Sequence, residues 1–295
     1  MRTHAKVNLF LRVLGRRADG YHEIETILHG IALADDLEVR ATSTRSIDID
    51  MGLAPELRGV LPSSGENLVT RAARSVAEVA GGRWGAVITG TKHIPLGSGL
   101  GGGSSNAAGT LVALNELWGA RLRSDELAAR AARLGSDVAY FLEGGTALAT
   151  SRGEEITGLV SLSMLWLVLG ISHDPMLTAD VYGAWDALGS APENAAPMVM
   201  ALGAGDSAAV ASLLHNDLEA PAFRLRPVLA QLKEAMLAAG AVGALMSGSG
   251  PTIFGIARDG AHARSIAARV DDVFDLVVVT SSHDASIEYL DGDVL

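Results

Sequence analysis

Pro95-Leu96-Gly97-Ser98-Gly99-Leu100-Gly101-Gly102-Gly103-Ser104-Ser105-Asn106 is the stretch on which the reading of this chain turns. Its five glycines let bare backbone amides approach a ligand closely. An alternating stretch at 86–91 precedes it and a strong helical pattern at 105–118 follows, so the loop delivers those amides to a helix N-terminus. Amides and helix dipole together suit phosphate, and Ser104 and Ser105 offer hydroxyls to a phosphate oxygen or a magnesium ion. The plainer alternative is a flexible linker or a helix-packing loop. Gly-Ser linkers seldom sit between two apolar elements.

Two familiar phosphate motifs compete for the segment. Gly97-x-Gly99-x-x-Gly102 satisfies the dinucleotide fingerprint literally, but that site needs the helix to lead into a parallel strand ending in an acidic residue. Here the next pattern is another helix, opened by Ser124 as an N-cap with Asp125 and Glu126 in its first turn and closed by Gly135. The nucleotide-hydrolase loop fails because no Gly-Lys-Ser/Thr closes it, and the protein-kinase motifs are missing as well.

Upstream, residues 5–13 alternate, with Ala5, Val7, Leu9, Leu11 and Val13 on one face and Lys6, Asn8, Phe10 and Arg12 on the other. This predicts a strand with one buried face and with Lys6 and Asn8 pointing together away from the core. Asp19-Gly20 marks a tight turn into a second alternating stretch through Ile24, Thr26 and Leu28, and Tyr21 and His22 lie just beyond the turn. Further strands are expected at 37–41 and 47–51, and a helix at 67–79 with Leu68, Ala72, Val76 and Val79 on one stripe. A domain boundary is expected around 158–163. After it the order becomes strand (164–171), helices, strand, strand, helix, strand, which suggests a split βαβ sandwich. Pro227 and Gly240 bracket one of its helices, and Ser247-Gly248-Ser249-Gly250 joins strands expected at 243–246 and 252–257.

The whole-chain properties narrow the function. At 295 residues the length favours two domains, and 48% hydrophobic with 19% charged residues is a globular composition. Aromatics are only 4% and the formal net charge is −11, a poor basis for binding a nucleic acid and a better one for a small phosphate held locally. Without cysteine there are no disulfides, thiolate nucleophiles or thiolate-ligated metals. The start of the chain carries no signal-peptide pattern, and the longest apolar run is too short for a bilayer, so a cytoplasmic protein without membrane partners is the expectation. Of 23 basic residues only Lys6, Lys92 and Lys233 are lysines. A lysine kept against such a bias suggests a place for a compact ammonium.

Pro95-x-x-x-Gly99-Leu100-Gly101 running into Ser104-Ser105-Asn106 resembles the ATP loop of the GHMP small-molecule kinases. Ala5-Lys6-Val7-Asn8-Leu9, Asp19-Gly20-Tyr21-His22-Glu23 and Leu134-Gly135-Ser136-Asp137-Val138 resemble the branch of that family whose acceptor is cytidylyl-methylerythritol, in the non-mevalonate isoprenoid pathway. Ser247-Gly248-Ser249-Gly250-Pro251 resembles the family's third motif, a loop that supports the phosphate loop. The likeness runs in order over nearly the whole chain. One departure is Thr3-His4, where the family usually has Ala-Pro.

The resemblance implies an α/β (α+β) chain with the GHMP kinase fold: an N-terminal α/β domain related to a ribosomal-protein fold (1–158) and a C-terminal ferredoxin-like α/β sandwich (159–295). It implies ATP and Mg2+, a monomer or homodimer, and Lys6 and Asp137 as the catalytic pair. ATP would lie on residues 95–105, that is Pro95, Leu96, Gly97, Ser98, Gly99, Leu100, Gly101, Gly102, Gly103, Ser104 and Ser105, with Lys92 and Asn67 near it. The acceptor would lie on Asn8, Tyr21, His22 and Thr178, and Gly248, Ser249 and Gly250 would form the supporting loop. No protein metal ligand is implied beyond Ser105.

Local sequence alone supports other readings of these residues. Asp137 is also a good N-cap for a short helix at 138–142, Lys6 an ordinary edge-strand charge, and His22 a solvated loop histidine. Tyr21 is a candidate for stacking on cytosine in a chain poor in aromatics. His215, His262 and His283 share no metal-ligand spacing. Three rival functions stay open at this level: a non-catalytic sensor on the same fold, an RNA binder, and a kinase for homoserine or mevalonate.

Overall fold

The computed structural model describes residues 1–57, 67–81, 85–160, 164–188 and 193–290. The chain opens with β1 (Arg2–Arg16) and β2 (His22–Thr42), antiparallel and joined at 17–21, where Arg17 N donates to Tyr21 O and Gly20 N to Arg17 O. The two stretches expected at 24–28 and 37–41 are thus one continuous strand. β3 (Ile47–Leu53), α1 (Leu68–Val79) and β4 (Gly85–Lys92) follow, with β4 between β2 and β3. The buried side of α1 is Val69, Ala72, Ala73 and Val76, a stripe turned slightly from the expected one, and Val79 is exposed.

α2 (Gly102–Leu117) starts three residues earlier than its pattern suggested, because Gly101, at φ 77°, takes the left-handed conformation that turns the loop into the helix. α3 (Ser124–Leu134) is capped at Arg123, whose amide donates to Glu126, so Ser124 is its first helical residue. α4 (Ser136–Glu143), β5 (Thr146–Thr150) and β6 (Glu155–Leu159) complete the first half.

In the second half, β7 (Trp166–Ile171), α5 (Thr178–Asp186), α6 (Ala196–Ala204), α7 (Ser207–Ser212), β8 (His215–Asn216), α8 (Glu219–Leu225) and α9 (Val228–Ala238) precede β9 (Gly243–Met246) and β10 (Ile253–Ala257). α10 (Gly260–Val270), β11 (Leu276–Ser281) and β12 (Ile287–Glu288) end the described chain. The four-stranded sheet has the order β11-β7-β10-β9 and is antiparallel throughout. Numbered within this half, that order is 4-1-3-2, the split βαβ arrangement expected from the element order.

The expected boundary partly falls on 161–163, outside the described residues. The sheets do not divide cleanly there either, since β8 and β12 of the second half both pair with β1. One core cluster accordingly runs from Val7, Leu9 and Ile31 on the first sheet to Leu167, Leu169 and Phe254 on the second. This packing changes the expectation for β1. Lys6 and Asn8 lie on the side away from Val7 and Leu9, yet each is only 3% exposed, because the glycine loop covers them and Lys6 N donates to Leu100 O. A period-two pattern reports which side a residue faces and not what later covers that side.

His29 on β2 is held in this shared interior between the hydroxyls of Thr146 and Ser282, at 2.8 and 2.7 Å. Burial pushes its imidazole from 6.5 down to about 4, partly offset by Asp284. The unfolded chain therefore takes up a proton below about pH 6.5 that the folded protein refuses until about pH 4. Stability should be independent of this group above pH 6.5 and fall by about 3 kcal/mol as the pH drops through that window. Urea unfolding at a series of pH values should show the loss, and His29→Gln should flatten it; an unchanged slope in the variant would assign the acid sensitivity elsewhere.

Candidate functional site

A cleft of about 670 Å³ opens between β1, the glycine loop, the N-terminus of α4, α5 and the turn between β9 and β10. Each of these elements brings polar groups for a local reason. β1 supplies Lys6 and Asn8 from one side of the strand: Lys6 Nζ donates to Asn8 Oδ1 at 2.7 Å, Asn8 Nδ2 to Thr26 Oγ1 at 2.8 Å, and Thr26 to Phe10 O at 2.6 Å. This chain of satisfied bonds fixes a buried ammonium in one place. Asp137 faces it, its Oδ2 3.4 Å from Lys6 Nζ, and is open to the cleft.

Asp137 does not cap its helix. The cap position of α4 is Gly135, with no side-chain cap, and Asp137 lies inside the first turn. The cap reading of this residue is therefore corrected, and its partner is Lys6. The edge-charge reading of Lys6 fails for a related reason, since its side chain is buried at the cleft floor.

The glycine loop divides its residues between two tasks. Gly97, Gly99, Gly101 and Ser104 line the cleft. Pro95, Ser98 and Leu100 are buried, and the Ser98 hydroxyl is used within the loop, donating to Pro95 O. The expectation for Ser105 is also corrected: its hydroxyl is fully buried and donates to His4 O at 2.6 Å, and Ser105 is not among the cleft-lining residues. Gly99 and Gly101 have positive φ and no room for a side chain. A Cβ would lie 2.3 Å from Ser247 O at the first and 2.7 Å from the Phe141 ring at the second. The interior thus requires these glycines before any ligand does.

Lys92 and Asn67 were expected near the nucleotide, and both have other partners. Asn67 caps α1 by accepting from Val69 N and is not among the cleft-lining residues. Lys92 is buried against Asp35 and Asn106, donating to Asn106 Oδ1 at 2.7 Å. Asp35, fully buried, also accepts from His93 N at 2.7 Å, Ile94 N at 2.8 Å and Asn106 Nδ2 at 3.0 Å. These bonds hold the two ends of the glycine loop, so Lys92 acts on the loop's shape from beneath.

Ser247-Gly248-Ser249-Gly250, expected as a supporting loop, is brought against the glycine loop. Ser247 Oγ donates to Gly99 O at 3.0 Å, and Thr252 N to Ser98 O at 3.3 Å. Asn216 braces this turn, donating to Met246 O and Gly248 O, both at 2.8 Å, while Glu219 accepts from Met246 N. In sequence, Asn216 to Glu219 reads as a site or, equally, as a helix C-terminus and turn.

At the other end of the cleft the structure gathers Tyr21, His22 and Thr178. His22 is not a solvated loop residue: its side chain is 9% exposed, Nε2 lies 2.8 Å from Asp186 Oδ1, and its ring meets Tyr182 at 4.8 Å. Burial, with the nearby charge of Asp137, pushes the Tyr182 phenol up, so it stays neutral. Tyr21 is 56% exposed, with the Arg152 guanidinium 5.0 Å from its ring centroid. Thr178 opens α5 and shares a 2.9 Å hydroxyl contact with Ser249. Arg16, Arg152, Tyr182 and Asp186 also line this end and were not found from sequence. Nothing local marks them, because they come from three separated segments.

Two family models match the chain: GHMP kinases N terminal domain over residues 67–145 and GHMP kinases C terminal over residues 198–276. A 4-diphosphocytidyl-2-C-methyl-D-erythritol kinase of Moorella thermoacetica is 44% identical over 282 residues, covering 94% of this chain and 96% of the relative. The protein of the same name from Pelotomaculum thermopropionicum is 43% identical over 277 residues, 94% of this chain and 95% of its own. A crystal structure of 4-(cytidine 5'-diphospho)-2C-methyl-D-erythritol kinase superimposes with a TM-score of 0.79 at 36% identity, covering 96% of this chain and 99% of that one. Homoserine kinase from Cytophaga hutchinsonii shares the fold, with a TM-score of 0.71 at 23% identity over 96% and 94% of the two chains.

The loop buttress can be tested by stability alone. Asp35→Ala strands the buried Lys92 ammonium and should cost about 3–5 kcal/mol in chemical denaturation. Lys92→Met should cost less, because Asp35 keeps two backbone amides and Asn106. A cost near zero for Asp35→Ala would remove the pair from this role.

Proposed function

The chain belongs to the GHMP kinase family, and from that premise we propose that it transfers the γ-phosphoryl group of ATP to the 2-hydroxyl of 4-diphosphocytidyl-2-C-methyl-D-erythritol, in the non-mevalonate route to isoprenoid precursors. The observation that carries the reading is the pairing of Asp137 with the buried Lys6 at the floor of a cleft walled by both glycine turns. A non-catalytic sensor has no use for such a pair. The net charge of −11 and the family together leave the RNA-binding alternative without support.

Phosphoryl transfer asks the protein mainly for positioning and charge stabilisation. The glycine loop and the first turn of α2 present amides and Ser104 to the ATP phosphates. The acceptor hydroxyl donates its hydrogen bond to Asp137. As its oxygen bonds to the γ-phosphorus and the bond from phosphorus to the ADP oxygen breaks, the proton passes to Asp137 Oδ. Lys6 Nζ, held by Asn8, holds the carboxylate in place and offers its charge to the transferring phosphoryl oxygens.

The oxygen donors fit a magnesium ion carried on the nucleotide. Ser105 is committed to His4 O, which leaves the Ser104 hydroxyl as the glycine loop's side-chain oxygen at the cleft, with the Asp137 carboxylate across from it. When bound, that ion neutralises phosphate charge. At the far end Tyr21, His22 and Tyr182 form an aromatic corner with a hydrogen-bonding ring edge, suited to a pyrimidine base, and Arg16 and Arg152 supply cations for its diphosphate. No described helix is long and apolar enough to cross a membrane, and such a protein would work in the cytoplasm.

ADP release should be seen with the cytidylyl acceptor and not with homoserine or mevalonate. Since Asp137 is no cap and Asn still offers Lys6 an oxygen, Asp137→Asn should melt near the unsubstituted protein while kcat falls by roughly 10²–10⁴-fold, and Asp137→Ala should lose as much activity and also stability, because it strips the buried Lys6 ammonium of its carboxylate. Full turnover by a folded Asp137→Asn protein at saturating acceptor would remove the proton-acceptor role. Tyr21→Ala should raise the KM for the acceptor several-fold and leave that for ATP nearly unchanged; equal effects on both would place the cytidine elsewhere.

A further inference from the structure

A second cluster of polar side chains lies outside the cleft, where the end of the described chain returns to β1. His4 of β1, His283 from the connection after β11 and Glu288 of β12 bring one potential ligand atom each within 4.8 Å of one another. None of the three lines the cleft. Backbone pairing holds them in place. Arg2 and Thr3 pair with Glu288 and Ile287, His4 N donates to Ser286 O at 2.8 Å, and His283 N donates to Gly30 O at 3.0 Å.

The imidazoles have no evident reason to be buried as they are. The rings of His4 and His283 stack with centroids 3.8 Å apart and planes 20° apart. His4 is 3% exposed, and neither of its ring nitrogens has a hydrogen-bond partner among the described residues; nor does Nε2 of His283. The Glu288 carboxylate is 3.4 Å from His4 Nε2, inside ion-pair range but without hydrogen-bond geometry. Buried imidazole nitrogens left unpaired in this way are costly, and a shared partner would satisfy all of them.

The geometry points to a divalent metal site of the zinc type, with His4, His283 and Glu288 as ligands and a fourth position for water. Two imidazoles and one carboxylate are a set that zinc accepts and that magnesium, which takes oxygen ligands, does not. Ligands about 2.0–2.1 Å from a tetrahedral ion stand roughly 3.3 Å apart. Atoms now within 4.8 Å reach that spacing when the two rings leave their stack, because nearly parallel rings cannot aim their in-plane lone pairs at one ion. The His4 carbonyl accepts the Ser105 hydroxyl, so an ion there would tie β12 to the strand that carries Lys6 and to the first turn of α2.

Protein stripped with a chelator should be titrated with Zn2+ by calorimetry, and with Co2+ by its visible absorption, with melting followed in parallel. One equivalent should bind, raise the melting temperature and give the intense bands of four-coordinate cobalt. His283→Gln should weaken Zn2+ at least about 100-fold, beyond what loss of a mere supporting partner costs. Glu288→Gln should weaken it at least about 10-fold, and it carries the same test if His283→Gln fails to fold. His173→Gln, an exposed histidine elsewhere, should change nothing. Absence of binding, or an affinity in the Glu288 and His283 variants equal to that of the unsubstituted protein, would overturn the site, as would an affinity that falls only in His173→Gln.

Discussion

One buried carboxylate holds the glycine loop in shape. Asp35, on β2, takes hydrogen bonds from the two amides just before the loop, at His93 and Ile94, and from Lys92 and Asn106 on either side of it. Asn106 also donates to Thr3 Oγ1, so the same network reaches the strand that carries Lys6. A segment with glycines at 97, 99, 101, 102 and 103 has a large entropy to lose, and fixing both of its ends limits that loss without adding side chains to the cleft. The arrangement places an ion pair in a fully buried position, where its value is in specifying one geometry more than in net stability.

The cleft is built by opposition. Two turns with positive-φ glycines face each other, one before α2 and one between β9 and β10, and they touch through Ser247 and Gly99 O. Backbone amides can thereby be concentrated in a protein whose overall charge is strongly negative. Long-range electrostatics disfavour phosphate, while local donors, a helix N-terminus and the Lys6 ammonium favour it. Selection of a small phosphorylated ligand over a polyanion follows from that difference in range.

The halves of the chain are interleaved. β8 and β12 extend the first sheet although they come from the second half, and the core cluster of Val7 and Leu9 continues into Leu169 and Phe254. Lys6 and Asp137 from the first half thus meet Ser249 and Thr178 from the second across a shared interior, which favours a fixed cleft over two independently moving domains.

Much of the architecture was legible in the residues. Period-two alternation marked β1 and β2, Gly101 and Ser104 marked the loop entering α2, and Pro227 with Gly240 bracketed α9, because these signals are local consequences of backbone geometry. The expectations for Lys6, Asp137 and the glycine loop were likewise carried by short motifs. What sequence alone left undecided is what each side chain faces once the chain is folded. From local sequence Asp137 read first as a helix cap, Ser105 as a phosphate or metal donor, and Lys92 as a nucleotide neighbour. Tertiary contacts decided each: Lys6 across from Asp137, His4 O above Ser105, and Asp35, 57 residues before Lys92, beneath it. A hydrogen bond between distant segments leaves no period in either of them, so the roles of Asp35, Asn216 and the His4–His283 stack became visible only when packing brought those segments together.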